Sequence, residues 1–182
     1  RLCIMHTIFA LLGSTGATFF MTILTKHGKL DPVHVANSTL AGGVAVGSSA
    51  RLAMTPGGSL LVGVAAGMVS VLGYVYSTPT LEKWFGLYDT CGVGNLHGWP
   101  SIFGGLASAI FVIMDSKAEF LTGGVLQPLR QLMGVAGTLV TAILSGYATG
   151  VVMKKTALEA PDDYDDSLWW EGEYFEGGHH DA

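Results

Sequence analysis

The chain has 182 residues, of which 49% are hydrophobic and only 13% charged, with 26 glycines and a mean hydropathy of +0.47. Soluble domains carry about a quarter charged residues, so the composition excludes an ordinary soluble domain and points to a membrane protein. The net charge of −5 describes the C-terminal end, because nine of the fourteen carboxylates lie between Glu159 and Asp181. No basic stripe interleaved with aromatics is present, so nucleic acid is not an expected partner.

A helix needs about 20 apolar residues to span the hydrocarbon. The first candidate runs from Leu2 to Leu24 without a charge and is closed by Lys26, His27 and Lys29. His6 lies within it with no motif around it and reads as a wall residue. No charged leader precedes this run, so no signal peptide is expected, and the chain, starting at Arg1, reads as a piece of a longer protein.

Asp31 and Pro32 open the second candidate helix, which is expected to continue to Ala53. Aspartate accepts a bond from a free N–H at a helix start, and proline at the first position loses none. Gly43 and Gly47 stand four residues apart in this helix, as do Gly63 with Gly67 and Gly146 with Gly150 further on. This spacing makes small-residue faces, which allow helix backbones to approach closely in lipid.

Thr55 to Gly58 reads as a turn, and Ser59 to Tyr76 as a third span ending at Thr78-Pro79. Trp84 and Tyr88 then stand where interfacial anchors are expected. A fourth span ends at Met114-Asp115, and a fifth runs from Leu132 to Met153, stopped by Lys154 and Lys155. The reading is an all-α polytopic membrane protein with five transmembrane helices. Residues 1–158 form its membrane region and 159–182 an acidic tail. An odd number of spans puts the ends on opposite sides, and the double lysine assigns the C-terminus to the cytoplasm.

His97 is a histidine well inside a hydrophobic run. An ionisable group at membrane depth is costly, about 2.5 to 3.5 kcal/mol for a central charge on insertion scales, and so marks a site by default. It reads either as a pore imidazole or as a packed, hydrogen-bonded helix residue. Asn95 is either a helix cap or a pore-facing amide. Asp31 is either a cap or an acid at the vestibule, and His34 either shares that acid's proton relay or faces water at a helix end. His179 and His180 at the C-terminal end make no defined metal site, Cys3 and Cys91 make no disulfide framework, and no cofactor or enzymatic motif is present.

Two stretches, Asp31 to Gly47 and Asp89 to Gly98, resemble the Rh glycoprotein branch of the ammonium transporter family, and the likeness extends over nearly the whole chain. The resemblance implies a plasma-membrane channel for ammonium/ammonia, a homotrimer of subunits with eleven or twelve helices. This chain would hold the last five, its N-terminal half being supplied elsewhere. It implies that His97 is one of two facing pore histidines. Trp99 and Ser101 depart from the family pattern, which has a small aliphatic and a glycine beside the proline. Other readings are a channel for carbon dioxide or another neutral gas, and a non-conducting scaffold or ammonium sensor.

Overall fold

The structure, a computed structural model, describes residues 1–52, 54–114 and 126–156. The acidic tail from 159, with His179 and His180, and the end of the fourth span at Asp115 lie outside the described residues. The chain divides into two units, Arg1–Leu139 and Val140–Ala182. The described residues are helical, with no strand among them. Among the described residues, four helical stretches are long and apolar enough to cross a membrane: Leu2–Thr25, Pro56–Phe85, Gly94–Met114 and Gln127–Thr156.

Helix α1 (Leu2–Thr25) packs against α4 (Pro56–Leu72) along a seam of small residues. A Cβ on Gly63 would lie 1.9 Å from the Ala10 carbonyl oxygen, and one on Gly13 would lie 2.2 Å from that of Leu60. Lipid tails are as apolar as leucine, so close van der Waals approach of this kind, rather than water exclusion, drives helix association in membranes. Thr55 caps α4 by accepting from the Gly58 N–H at 3.1 Å, with Pro56 in the first turn. The core around this seam is built from Ala10, Ala41, Ala45, Val46, Val62 and Ala66.

The second expected span is not one helix. It is α2 (Pro32–Ser38) and α3 (Ala41–Val46), joined at Thr39-Leu40 and followed by turns. Bonds to the carbonyl three residues back recur along it, at Leu40, Gly43, Gly47, Ser49 and Leu52. That is 3₁₀ geometry, rising about 2.0 Å per residue. The break has a side-chain cause. The Thr39 hydroxyl bonds back to the Val35 carbonyl, and the Thr39 carbonyl accepts from the Ser14 hydroxyl of α1. Non-helical backbone at membrane depth is tolerated where protein buries it, and Ala41, Ala45 and Val46 are fully buried.

The third span runs past its expected end. After α4 the chain makes a π turn, Gly73–Ser77, and continues as α5 (Thr78–Phe85) through Pro79. Pro79 stands in the first turn of α5, where the proline nitrogen forfeits least. Gly86, at φ +62°, closes α5. A second π turn, Gly94–Gly98, leads into α6 (Trp99–Met114). Helix α7 (Gln127–Thr156) is longer at both ends than the apolar run from Leu132 to Met153 suggests. Its residues from Val140 on are the described part of the second unit.

Candidate functional site

Two polar groupings meet the sequence-derived candidates. The first surrounds the start of α2. Asp31 caps that helix, its Oδ1 accepting from the Val33 N–H at 2.9 Å and the His34 N–H at 3.4 Å. Its Oδ2 pairs with the Lys26 ammonium at 3.0 Å. Partial burial pushes the Asp31 carboxyl up. Lys26, the charge of His34 and the two N–H donors outweigh that and hold it below the ordinary 3.8.

His34 is 3% exposed, not the water-facing helix-end residue that its position suggests. Its Nδ1 meets the Thr22 hydroxyl at 3.0 Å, and its Nε2 lies 3.8 Å from Asp31 Oδ2. Its ring packs against Tyr74, centroids 5.2 Å apart. Thr22 also accepts from the Asp31 N–H at 3.1 Å. Asp31, His34 and Thr22 therefore form one network, which the ring contact extends to Tyr74.

The second grouping holds the His97 segment. Asp89 Oδ2 accepts from the Gly94 N–H at 2.8 Å, anchoring the first residue of the π turn. Gly92, at φ +70°, stands against the Tyr74 hydroxyl, which donates to its carbonyl at 3.3 Å. Tyr74 thus touches His34 with its ring and the segment before His97 with its hydroxyl.

Asn95 is 2% exposed and donates from Nδ2 to the Thr78 hydroxyl at 2.7 Å. Trp99, the departure from the family pattern, donates its indole N–H to the Ser77 hydroxyl at 3.0 Å. His97 lies between these two anchored residues and is exposed in this chain. Among the described residues it has no hydrogen-bond partner. Two positions from either anchor is about half a helical turn, so the ring points away from the first π turn.

Sequence reasoning passes over His6. It is fully buried, its Nδ1 bonded to the Ser59 hydroxyl, with no partner for Nε2 among the described residues. Tyr74 and Thr78 are missed as well. Thr78 has a signal, its place directly before Pro79, and Tyr74, five residues earlier, has none. Of the expected packing glycines, Gly63 and Gly67 face the α1 backbone, Gly43 faces Leu11 and Gly47 meets only the Val44 carbonyl. Gly146 and Gly150 lie on α7, in the second unit. Gly13 and Gly42, not singled out from spacing, press on the Leu60 and Ala10 carbonyls.

A chain of several long apolar helices with a buried polar network between them is a multi-pass membrane protein. The sequence profile of the Ammonium Transporter Family matches residues 1–162, and the chain belongs to that family. It is 40% identical to the ammonium transporter Rh type B of Xenopus tropicalis over 187 residues, covering 92% of this chain and 40% of that protein. To its counterpart in Oryzias latipes it is 38% identical, covering 97% of this chain and 42% of that protein. Among solved structures it matches Nitrosomonas europaea Rh50, of the Rhesus protein family of channels, with a TM-score of 0.76 at 35% identity. That match covers 93% of this chain and 41% of Rh50. The chain therefore spans about two fifths of the relatives it matches, and it is a multi-pass membrane protein.

Proposed function

We propose that this chain forms the last five membrane-crossing segments of an Rh-type ammonium/ammonia channel, with His97 in the pore wall. The observation that carries this reading is the exposed imidazole of His97, held on a segment whose opposite face is pinned by Asn95 and Trp99. The relatives named above, ammonium transporters and a Rhesus channel, support the substrate class.

Ammonium entering a dry apolar pore intact meets a charge penalty of about 10 to 17 kcal/mol, the figure simulations give for a lone charged side chain at the bilayer centre. Losing its proton first, with lysine's pKa of about 10.4 as a stand-in, costs at most about 5 kcal/mol at pH 7. Leaving the proton behind also avoids moving charge across the membrane potential. The species that crosses is then neutral ammonia, and it needs a polar guide that carries no charge itself. Neutral imidazole can donate from one ring nitrogen and accept at the other. Asp31, its carboxylate held ionised by Lys26, is suited to attract ammonium at one mouth, and the His34 imidazole, joined to it through Thr22, to accept its proton.

The rest of the subunit supplies the facing wall, three subunits form a homotrimer in the plasma membrane, and the acidic tail from 159 lies in the cytoplasm. The test uses the full-length protein in vesicles, following internal pH after an ammonium pulse and, in parallel, after a carbon dioxide pulse. The reading expects ammonium-driven alkalinisation well above that of empty vesicles. Rates equal to empty vesicles for ammonium would overturn it, and acceleration of carbon dioxide alone would make the chain a channel for another gas.

A further inference from the structure

Each π turn is closed by an N–H bonded five residues back, from Thr78 to the Gly73 carbonyl and from Trp99 to the Gly94 carbonyl. Each therefore holds one residue more than an α turn in the same stretch. One residue is about 100° of rotation in an α-helix. If the second turn relaxed to α geometry, the residues before it would swing by that angle relative to α6. His97 lies inside the turn, so its direction depends on the extra residue staying where it is.

The two turns hold each other. Asn95 of the second bonds Thr78 at the end of the first, and Trp99 just after the second bonds Ser77 in the first. Gly73 completes the contact from the other side: a Cβ there would lie 2.4 Å from Asn95 Oδ1 and 3.1 Å from the Trp99 ring. Asn95 is buried, so its amide cannot exchange the Thr78 bond for water without opening this contact.

We propose that the paired π turns are a latch that fixes the rotation of the His97 ring, with Thr78, Asn95, Ser77 and Trp99 as positioning residues. Asn95 then acts neither as a helix cap nor as a pore-facing amide. The use of the latch in conduction rests on the reading of His97 as the pore imidazole; the latch itself does not.

The test separates the two. In full-length protein reconstituted in vesicles, with other cysteines removed, His97→Cys is labelled by silver ion in three backgrounds: the parent with Thr78, Thr78→Val and Thr78→Ser. Valine keeps the shape of threonine without its hydroxyl, and serine keeps the hydroxyl. The latch predicts that Thr78→Val changes the labelling rate by about fivefold, the population shift that losing one such hydrogen bond gives. Thr78→Ser stays at the parent rate. Asn95→Ala matches Thr78→Val, and combining the two adds nothing further. Equal labelling in all backgrounds, with protein levels maintained, overturns the latch. So does an equal effect of serine and valine.

Ammonium flux in the His97 protein supplies the second arm. Thr78→Val is expected to lower it while Thr78→Ser does not. A changed labelling rate together with a silent His97→Leu leaves the latch standing and removes His97 from the pore. An active role for His97 with labelling unmoved by Thr78→Val removes the latch alone.

Discussion

The Ala10 carbonyl oxygen occupies the place where a Cβ on Gly63 would stand, 1.9 Å from it, so the α1 and α4 backbones touch without side chains between them. Neither helix can yield locally, because Gly13 meets the Leu60 carbonyl in the same way one turn along. Gly63→Ala is expected to destabilise the protein by about 1 to 3 kcal/mol, the usual cost of overpacking. Gly16→Ala, on an exposed position of α1 with nothing within 4 Å among the described residues, is expected to be neutral or slightly stabilising, since alanine favours helix over glycine by about 1 kcal/mol. Thermal unfolding of the detergent-solubilised full-length protein compares the two.

The buried pair His6 and Ser59 gives a prediction of opposite sign for single and double changes. Ser59→Ala leaves the His6 Nδ1 without its partner in a fully buried site, a loss of about 1 to 3 kcal/mol. Replacing both partners by apolar residues removes the unsatisfied group along with the bond. The double variant His6→Leu with Ser59→Ala is therefore expected to be more stable than Ser59→Ala alone, which a double-mutant cycle of unfolding midpoints checks.

Asp31 supplies a pH dependence. Its carboxyl lies below the ordinary 3.8 in the folded protein, so it contributes stability that is fully present above that value and is lost as pH falls through the depressed one. Asp31→Ala removes both the cap and the Lys26 pair and should cost about 1 to 2 kcal/mol near neutral pH. Asp31→Asn keeps a good cap and should cost less than half as much. The difference in stability between the parent protein and the Asp31→Asn variant should be constant from about pH 7 to 8, above the titration of both the carboxyl and the neighbouring His34, and should be lost at about pH 4 and below. Unfolding midpoints measured across that range check the sign.

Tyr74 links His34 to the segment before His97, and two changes divide its roles. Tyr74→Phe keeps the ring against His34 and removes the bond to the Gly92 carbonyl, an expected loss of about 1 kcal/mol. Gly92→Ala is strained in either background, because φ +70° disfavours a side chain. It is expected to be less damaging in the Tyr74→Phe background, where the hydroxyl that a Cβ would meet at 1.8 Å is gone. Expression and unfolding of the two single variants and the double variant measure that coupling.

The first and last spans were legible because charge marks the ends of their apolar runs, at Lys26 and at Lys154 and Lys155, although α7 itself continues to Thr156. What composition does not carry is how backbone bonds are distributed within an apolar run. Thr39 looks like any tolerated threonine in a helix, yet its carbonyl leaves the ladder because Ser14, 25 residues earlier, is there to satisfy it. The π turns are equally silent in sequence, since Gly73–Ser77 and Gly94–Gly98 contain residues that an α-helix also accommodates.

At the site, the residue types pointed to His97, Asp31 and His34, but the surroundings of His34 did not follow from local position. A histidine three residues into a helix reads as exposed, whereas here Thr22 of α1 and Tyr74, 40 residues later, both stand against it. For Asn95, cap and pore-facing readings were equal by sequence, and its hydrogen-bond partner, Thr78, comes from a different span that local sequence does not reveal.

The most direct test of the central claim compares full-length protein with its His97→Leu variant in vesicles of equal protein content, following internal pH after a rapid ammonium pulse. The account predicts fast alkalinisation by the parent protein and a clear change in its rate or in its ion selectivity for the variant, with assembly preserved. Equal rates and equal selectivity for the two would contradict it.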